Sequence, residues 1–416
     1  MMTLVFIFTG LLFFYSLVSA RVERTILTAP MLFTAAGILA ALLLPGLREQ
    51  KTTANTFLWL AEVGLVLLLF TDASRTDLQV LKSLRSLPVR LLSTGMLLTI
   101  FLGGLAALAV LPNLTLWEAG ILAAILAPTD AGLGQIIVNS PRVPTRIRQA
   151  LNVEAGLNDG LSVPFMLFFV ALAGAASHQA NLPRLMLEQL CYGALIGAAL
   201  GLFGGWMLEQ AHRRQLIAES FRQLGLVAVP LLCLLASEAA GASMFIAAFV
   251  AGLALQVKFK QAGKHSVEFA EEWGQLLNLL VFFLFGVLVV RDWSHFTPWL
   301  FLYALLSLTV VRILPVAIAL IGTGLSRPTV FFMGWFGPRG LASIVLGLVY
   351  LEQETHQPGE STIRFAVMTT VLLSIFAHGL SAIPGISLYA AGVEALDAGA
   401  PERQGGLAPG TDVRPD

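Results

Sequence analysis

Long apolar stretches that recur along the chain constrain its fold most. Of the 416 residues, 57% are hydrophobic and 12% are charged, about half the charge of a typical soluble domain. A helix needs about 20 mainly apolar residues to cross the hydrocarbon layer of a membrane. Such segments cover residues 2–20, 26–46, 54–71, 88–111, 115–138, 148–174, 187–209, 222–238, 242–257, 273–290, 297–321, 328–350 and 363–391. The sequence therefore predicts an all-α polytopic membrane protein with about 13 transmembrane helices.

Two boundaries of these spans need an argument. Residues 222–238 and 242–257 are too long together for one crossing, and Gly241 between them offers a turn. The first span ends in Ser19 and Ala20, as cleavable signal peptides often do, but no Lys or Arg precedes its apolar run. We therefore expect two helices in the first case and an uncleaved span in the second.

The positions of the cations predict the orientation of the chain. Eighteen of the 25 Lys and Arg residues lie in loops after odd-numbered spans or in the C-terminal segment, and five lie in loops after even-numbered spans. Cytoplasmic loops carry the excess of cations in membrane proteins. We expect the N-terminus outside, the C-terminus in the cytoplasm, and the inner (plasma) membrane as the location.

Two arginines remain, Arg312 and Arg339, and both lie inside apolar segments. Ionisable residues at this depth are costly and mark a functional site or a buried pair. The interior acids are Asp130 in the fifth span and Glu154 and Asp159 in the sixth. A further acid in the third span, Glu62, has a less polar neighbourhood, and we expect it to face water or the membrane interface.

Two of the spans carry helix-breaking residues at mid-depth. The fifth contains Pro128-Thr129-Asp130, and the twelfth contains Gly337-Pro338-Arg339-Gly340. Proline inside a helix removes a hydrogen bond and kinks or breaks it. Broken helices in corresponding positions are typical of transporters built from two inverted repeats. We expect spans 1–6 and 8–13 to form two inverted six-helix repeats with broken helices 5 and 12, and span 7 to connect them.

The buried charges do not balance. Asp130, Glu154 and Asp159 supply three negative charges against two arginines, so one carboxylate is unmatched. One proton or one monovalent cation would neutralise it and avoid the cost of a bare buried charge. A site that accepts either H⁺ or a monovalent cation before it moves predicts obligatory exchange.

These motifs resemble the monovalent cation:proton antiporter superfamily, in particular the NhaP/NHE-like sodium–proton exchangers. The similarity extends to about residue 392. Its most specific parts are Thr129-Asp130 at a broken helix, Glu154-x-x-x-Asn158-Asp159, Arg312 and Gly337-Pro338-Arg339-Gly340. The resemblance implies Na⁺ as the first choice of cation, Li⁺ or K⁺ as alternatives, and H⁺ as the exchanged ion.

The resemblance also implies roles for single residues. Asp159 would bind the transported cation or proton, and Thr129 would offer coordinating oxygens. Asp130 would neutralise dipoles at the helix break, and Asn158, in place of a second acid, indicates the electroneutral branch. Glu154 would pair with Arg312. Arg339 would face carbonyl ends at the second break.

One departure from the family pattern concerns Ala155, since relatives often have Ser there with a hydroxyl that helps to bind the ion. This departure leaves the identity of the cation open. The resemblance further implies a homodimer whose mobile core moves against a static scaffold. The expected partners are the transported ions, the membrane lipid and a second copy of the chain, and we expect no nucleic acid and no cofactor.

Two other classes of function were weighed. A cation channel would use rings of carbonyls or charges repeated by symmetry, and an intramembrane enzyme would need a motif such as H-E-x-x-H or G-x-S-x-G, neither of which occurs. We expect a transporter and no enzyme. The predicted domains are a transmembrane antiporter domain over residues 1–392 and a short disordered cytoplasmic tail over residues 393–416.

Overall fold

The computed structural model describes residues 2–22, 25–47, 53–75, 87–176, 182–258, 264–352, 358–396 and 400–402. Within these ranges the regular secondary structure is entirely helical. Eight helices are long and apolar enough to cross a membrane, and four shorter apolar helices of 10–17 residues accompany them. The chain is therefore an all-helical, multi-pass membrane protein. Of the tail predicted to be disordered, residues 393–416, Val393 and Glu394 belong to the last helix, and residues 397–399 and 403–416 lie outside the described residues.

Seven α-helices are described in the first half of the chain. They are α1 (Met2–Val22), α2 (Ala29–Leu43), α3 (Thr53–Arg75), α4 (Leu87–Val110), α5 (Leu116–Leu126), α6 (Ala131–Val138) and α7 (Thr145–Ala176). Helix α4 contains one π-helical stretch, Leu91–Gly95, which the sequence analysis did not predict. The fifth predicted span is broken between α5 and α6, at the Pro128-Thr129-Asp130 segment.

The α-helices described in the second half of the chain differ widely in length, from 9 to 35 residues. They are α8 (Leu182–Arg213), α9 (Glu219–Ala239), α10 (Met244–Lys258), α11 (Lys264–Arg291), α12 (Pro298–Leu308), α13 (Val310–Ala319), α14 (Arg327–Trp335), α15 (Leu341–Glu352) and α16 (Glu360–Glu394). Gly241 separates α9 from α10 with a φ of 60°, which confirms the predicted turn. The twelfth predicted span is broken between α14 and α15, at residues 336–340.

One interruption was not predicted. The eleventh span reads as a single apolar run, but the structure divides it at Thr309, whose φ of −110° and ψ of −90° are not helical. The hydroxyl of Thr309 donates to the carbonyl of Leu305, 2.6 Å away, and so competes for a backbone acceptor in the preceding turn. The change of direction comes three residues before Arg312, so it contributes to the position of this buried cation.

The helices form two packed groups. Helices α2, α3 and α8 to α11 pack mainly on one another, and α4 to α7 pack mainly with α12 to α16. Aromatic contacts of Phe8 with Phe33 and Phe283 attach α1 to the first group. Where α2 and α11 cross, a Cβ on Gly37 or Gly286 would collide with the other helix's backbone. Both broken helices lie in the second group, and α7 contacts both groups.

Candidate functional site

The two helix breaks lie against each other. The N–H of Asp130 in the first break donates to the carbonyl of Pro338 in the second, at 2.8 Å. A Cβ on Gly340 would collide with the carboxylate of Asp130, so the second break needs glycine at this position to approach the first so closely. The two breaks were predicted in spans 5 and 12, and the structure brings them into direct contact.

The carboxylate of Asp130 serves two helices. Its Oδ1 accepts the N–H of Leu133 in the first turn of α6, at 3.0 Å, and its Oδ2 accepts the N–H of Leu341, the first residue of α15, at 2.6 Å. An acid at a helix N-terminus satisfies free N–H groups and interacts favourably with the helix dipole. Asp130 therefore caps the second half of both broken helices.

The guanidinium of Arg339 occupies the opposite helix ends. Its Nε donates to the carbonyl of Leu126, the last residue of α5, at 2.7 Å, and its Nη1 donates to the carbonyl of Gly337. Its backbone N–H donates to the Ser374 hydroxyl at 2.6 Å. The side chain is fully buried. Its positive charge thus lies where helix carbonyls concentrate negative potential, as the resemblance implied.

Glu154 and Arg312 form a buried ion pair. Nη1 of Arg312 donates to Oε1 of Glu154 at 2.6 Å, and the two side chains are 2% and 3% exposed. A Cβ on Gly337 would collide with the guanidinium, so Arg312 also lies directly against the second break. The pair connects α7 with α13 and matches the partner that the sequence analysis named.

Asn158 and Thr129 connect α7 to the first break. Nδ2 of Asn158 donates to the hydroxyl oxygen of Thr129 at 2.7 Å. Oδ1 of Asn158 is buried and has no hydrogen-bond partner in the part of the chain that the structure describes. One amide therefore fixes the Thr129 side chain and leaves an oxygen available next to it.

The carboxylate of Asp159, unlike those of Asp130 and Glu154, accepts no hydrogen bond within the described ranges. Its Oδ1 is buried and lacks a hydrogen-bond partner among the described residues. The hydroxyl of Ser162 donates to the Asp159 backbone carbonyl rather than to its carboxylate. The negative charges of Asp130 and Asp72 both act on this carboxylate. The arrangement favours neutralisation of Asp159 by a proton or a bound cation.

A small cavity lies between the first break, α7 and the second break. Its walls include Thr129, Asp130, Glu154, Ala155 and Pro338. Ala155 is thus beside the breaks, as expected from its position one turn before Asp159. Within the described ranges, no three His, Cys, Asp or Glu side chains are grouped as they would be for a resident metal ion.

The sequence analysis missed two acids near the broken helices. Asp72 lies beside Gly156, where a Cβ would be 3.4 Å from the Cβ of Asp72. It follows the third predicted span directly, so it was read as part of a loop. Glu118 caps the start of α5 together with Thr115. The Thr115-x-x-Glu118 spacing was a usable signal, because it is that of a capping box.

Two further ionisable residues, Glu62 and His378, lie inside helices α3 and α16. Glu62 was expected to face water or the interface, but it is only 9% exposed, so the prediction of a water-facing acid is wrong. His378 in α16 is buried. Its Nδ1 lies 3.1 Å from the Ser374 hydroxyl and its Nε2 lies 2.9 Å from the Trp335 carbonyl, so both ring nitrogens have partners.

Comparisons with known proteins agree with this architecture. The structure superimposes on that of the sodium proton antiporter MjNhaP1 from Methanocaldococcus jannaschii with a TM-score of 0.70 and 21% identity, over 91% of this chain and 99% of that one. This likeness establishes the fold.

Two sequence relatives are a Na⁺/H⁺ antiporter of Schizosaccharomyces pombe and the K⁺/H⁺ antiporter NhaP of Alkalimonas amylolytica. The first is 28% identical over 66% of this chain, and the second is 26% identical over 82% of it. The chain spans 65% and 59% of the length of these relatives. The family model for the transmembrane sodium/hydrogen exchangers matches residues 5–386. The chain therefore belongs to the sodium/hydrogen exchanger family.

Proposed function

We propose that the protein is a secondary active antiporter that exchanges a monovalent cation for H⁺ electroneutrally. The cation and the proton compete for Asp159, and the loaded site is exposed to the two sides of the membrane in turn. In this proposal Thr129 and Asn158 contribute oxygens, and Asp130 and Arg339 hold the helix ends in place. Glu154 and Arg312 support them as a structural pair.

The observation that carries the proposal is the state of the Asp159 carboxylate. A bare buried charge is unfavourable, and a proton or a cation removes that cost equally well. Arg312 already pairs with Glu154, and Arg339 binds backbone carbonyls. Both of these arginines are therefore engaged elsewhere, which leaves an exchangeable ion as the natural counter-charge for Asp159.

The proposal includes the architecture predicted from the sequence. It has 13 spans, two inverted six-helix repeats around span 7, an outside N-terminus and a cytoplasmic C-terminus in the inner (plasma) membrane. The functional unit is a homodimer, and the packed group that contains the broken helices moves as the core. The antiporter domain comprises residues 1–392, and no resident cofactor takes part.

Na⁺ is the first choice of cation, with Li⁺ and K⁺ as alternatives. The two relatives named above are described as Na⁺/H⁺ and K⁺/H⁺ antiporters, so the family accommodates both ions. Ala155 faces the cavity with a methyl group rather than a hydroxyl. The cation is therefore to be identified by measurement of transport.

The test is the collapse of a pH gradient in inverted membrane vesicles, followed with a ΔpH-sensitive dye after separate additions of Na⁺, Li⁺, K⁺ and Rb⁺. Asp159→Asn is expected to abolish the response, because the variant can neither release a proton nor neutralise a cation. Asp292→Asn is the matched control, since it makes the same chemical change in an aspartate that pairs with Arg291 and Arg364.

Three results would contradict the proposal. Cation-dependent exchange at the wild-type rate in Asp159→Asn would remove the site. A wild-type protein that conducts the cation without moving protons would be a channel, and one that moves no ion would point to the enzyme alternative.

A further inference from the structure

An amide from the opposite helix group reaches the first helix break. Asn278 lies in the middle of α11 and is only 8% exposed. Its Oδ1 is buried without a hydrogen-bond partner in the described part of the chain. Leaving a buried polar atom unsatisfied costs about 1–3 kcal/mol, so an amide in this apolar helix calls for an explanation.

The neighbour of this amide is the start of α6. A Cβ placed on Gly132 would lie 3.1 Å from Oδ1 of Asp130 and 3.3 Å from Nδ2 of Asn278. The two side chains therefore approach the same point, and the missing side chain of Gly132 leaves the space between them. Asn278 thus adjoins the helix start that Asp130 caps.

Near this break and along α7, three buried oxygens lack a hydrogen-bond donor within the described ranges. They belong to Asn158, Asp159 and Asn278. Asn158 touches the break through Thr129, and Asp159 feels the charge of Asp130. Oxygen atoms that lack a donor are what a hard cation such as Na⁺ requires as ligands. Rotation of the Asn278 amide about its last bond exchanges Oδ1 and Nδ2, so its oxygen can face the break.

We propose that Asn278 is a cation-binding residue, which offers its amide oxygen to the transported ion from α11. The other ligands come from the α5–α6 break and from α7. This inference rests on the proposed antiport function. It adds a ligand from the helix group that contains α2, α3 and α8 to α11, opposite the group that holds both breaks. The coordination shell is then completed only when the two groups are correctly apposed.

The test compares the apparent KM for the transported cation with the maximal rate in the vesicle assay. Asn278→Ala removes the oxygen and is expected to raise KM about tenfold, with the maximal rate within twofold of the wild type. Asn278→Asp keeps an oxygen at the same distance along the side chain, and its KM is expected within threefold of the wild type. Ser237→Ala is the control, because it removes a buried, unpartnered hydroxyl from α9.

The outcomes separate a ligand from a structural residue. An unchanged KM in Asn278→Ala, or an equal rise in Ser237→Ala, would overturn the inference. If Asn278→Ala does not fold, Asn278→Leu removes the amide oxygen but keeps the branched shape of the side chain, and its KM must still rise severalfold. A wild-type protein without cation-dependent proton movement would refute the antiport function itself, whereas wild-type exchange with unaltered Asn278 variants would refute only the new ligand.

Discussion

The two helix breaks meet at one point but carry opposite charges. The first break contributes the acid Asp130, whose carboxylate accepts N–H groups at the starts of both α6 and α15. The second contributes the base Arg339, which donates to the carbonyls of Leu126 and Gly337. Each charge thus serves its own break and the other one. Each break therefore depends on a charged side chain from the other, and the two breaks form one electrostatic unit.

The largest effect is expected from removal of the acid. Asp130→Ala leaves the N–H groups of Leu133 and Leu341 without acceptors at the starts of α6 and α15. Each buried donor that loses its acceptor costs about 1–3 kcal/mol, so we expect strongly reduced thermal stability and no exchange. The measurements are the unfolding temperature in detergent and the vesicle assay.

Asp130→Asn is the matched comparison for this prediction. Asparagine is a good N-cap, but its single carbonyl oxygen replaces two carboxylate oxygens. We therefore expect its stability to lie between those of the wild type and Asp130→Ala. Equal stability of all three proteins would show that the two helix starts do not depend on a shared cap.

A smaller loss of stability is expected from substitution of the basic residue, Arg339. Arg339→Gln loses the charge and at least one donor, and hydrogen bonds from charged groups contribute about 1.5–3 kcal/mol each. Arg339→Lys keeps the charge but lacks the planar fork that reaches two carbonyls, so it is expected to retain more stability than Arg339→Gln. Unfolding temperatures measured side by side check this order. A lower stability of Arg339→Gln than of Asp130→Ala would contradict the larger effect that we expect from loss of the acid.

The sequence predicted both breaks because Pro128 and Pro338 interrupt apolar runs. It also placed one charged residue in each. It did not predict that Asp130 and Arg339 each bind backbone groups of both breaks, since this depends on a contact between segments about 200 residues apart in the chain. The interruption at Thr309 was not predicted for a different reason, because neither Gly nor Pro lies within five residues of it.

Single polar residues at the edges of apolar segments were the hardest to interpret. Asp72 follows a predicted span and was read as a loop residue, whereas the structure brings it beside Gly156. Asn278 interrupts an apolar run with one uncharged amide, which carries no periodic signal. For such residues the position in space decides the role, and neither composition nor spacing contains that information.

The starts of the two broken helices offer a second comparison. At the start of α5, Glu118 accepts the N–H of Thr115 and the N–H of Gly359, each at 2.7 Å. At the start of α14, Ser326 is the N-cap, and the acid comes from a distant segment: Glu402 accepts the N–H of Ser326 at 2.7 Å and the Thr329 hydroxyl at 2.9 Å. The capping acid of α5 belongs to α5 itself, whereas the capping acid of α14 is Glu402, in the segment 400–402.

The segment that contains Glu402 also connects α14 to α7. Nη1 of Arg146, in the first turn of α7, donates to the carbonyl of Pro401 at 2.7 Å. Burial raises the pKa of the Glu402 carboxyl, but hydrogen bonds from the backbone and side chain of Ser326 and from Thr329 outweigh burial, and the pKa lies below its usual range. A carboxyl with a lowered pKa stabilises the folded protein when it is ionised.

The smallest effect is therefore expected from Glu402→Gln, and it should depend on pH. At pH 7 the loss of the charged cap is expected to cost at most about 1 kcal/mol. The contribution of Glu402 is fully present above the ordinary glutamate pKa of about 4.3 and is lost as the pH falls through the lower value of the folded state. The difference in unfolding temperature between the wild type and Glu402→Gln should consequently be constant from pH 8 to pH 6 and should narrow below about pH 4.3. Glu238→Gln, at an exposed position in α9, controls for the general loss of one negative charge. Two results would contradict this role of Glu402. One is a difference in unfolding temperature that persists unchanged at the lowest pH, and the other is an equal difference in Glu238→Gln. Either would show that the start of α14 does not depend on the ionised carboxylate of Glu402.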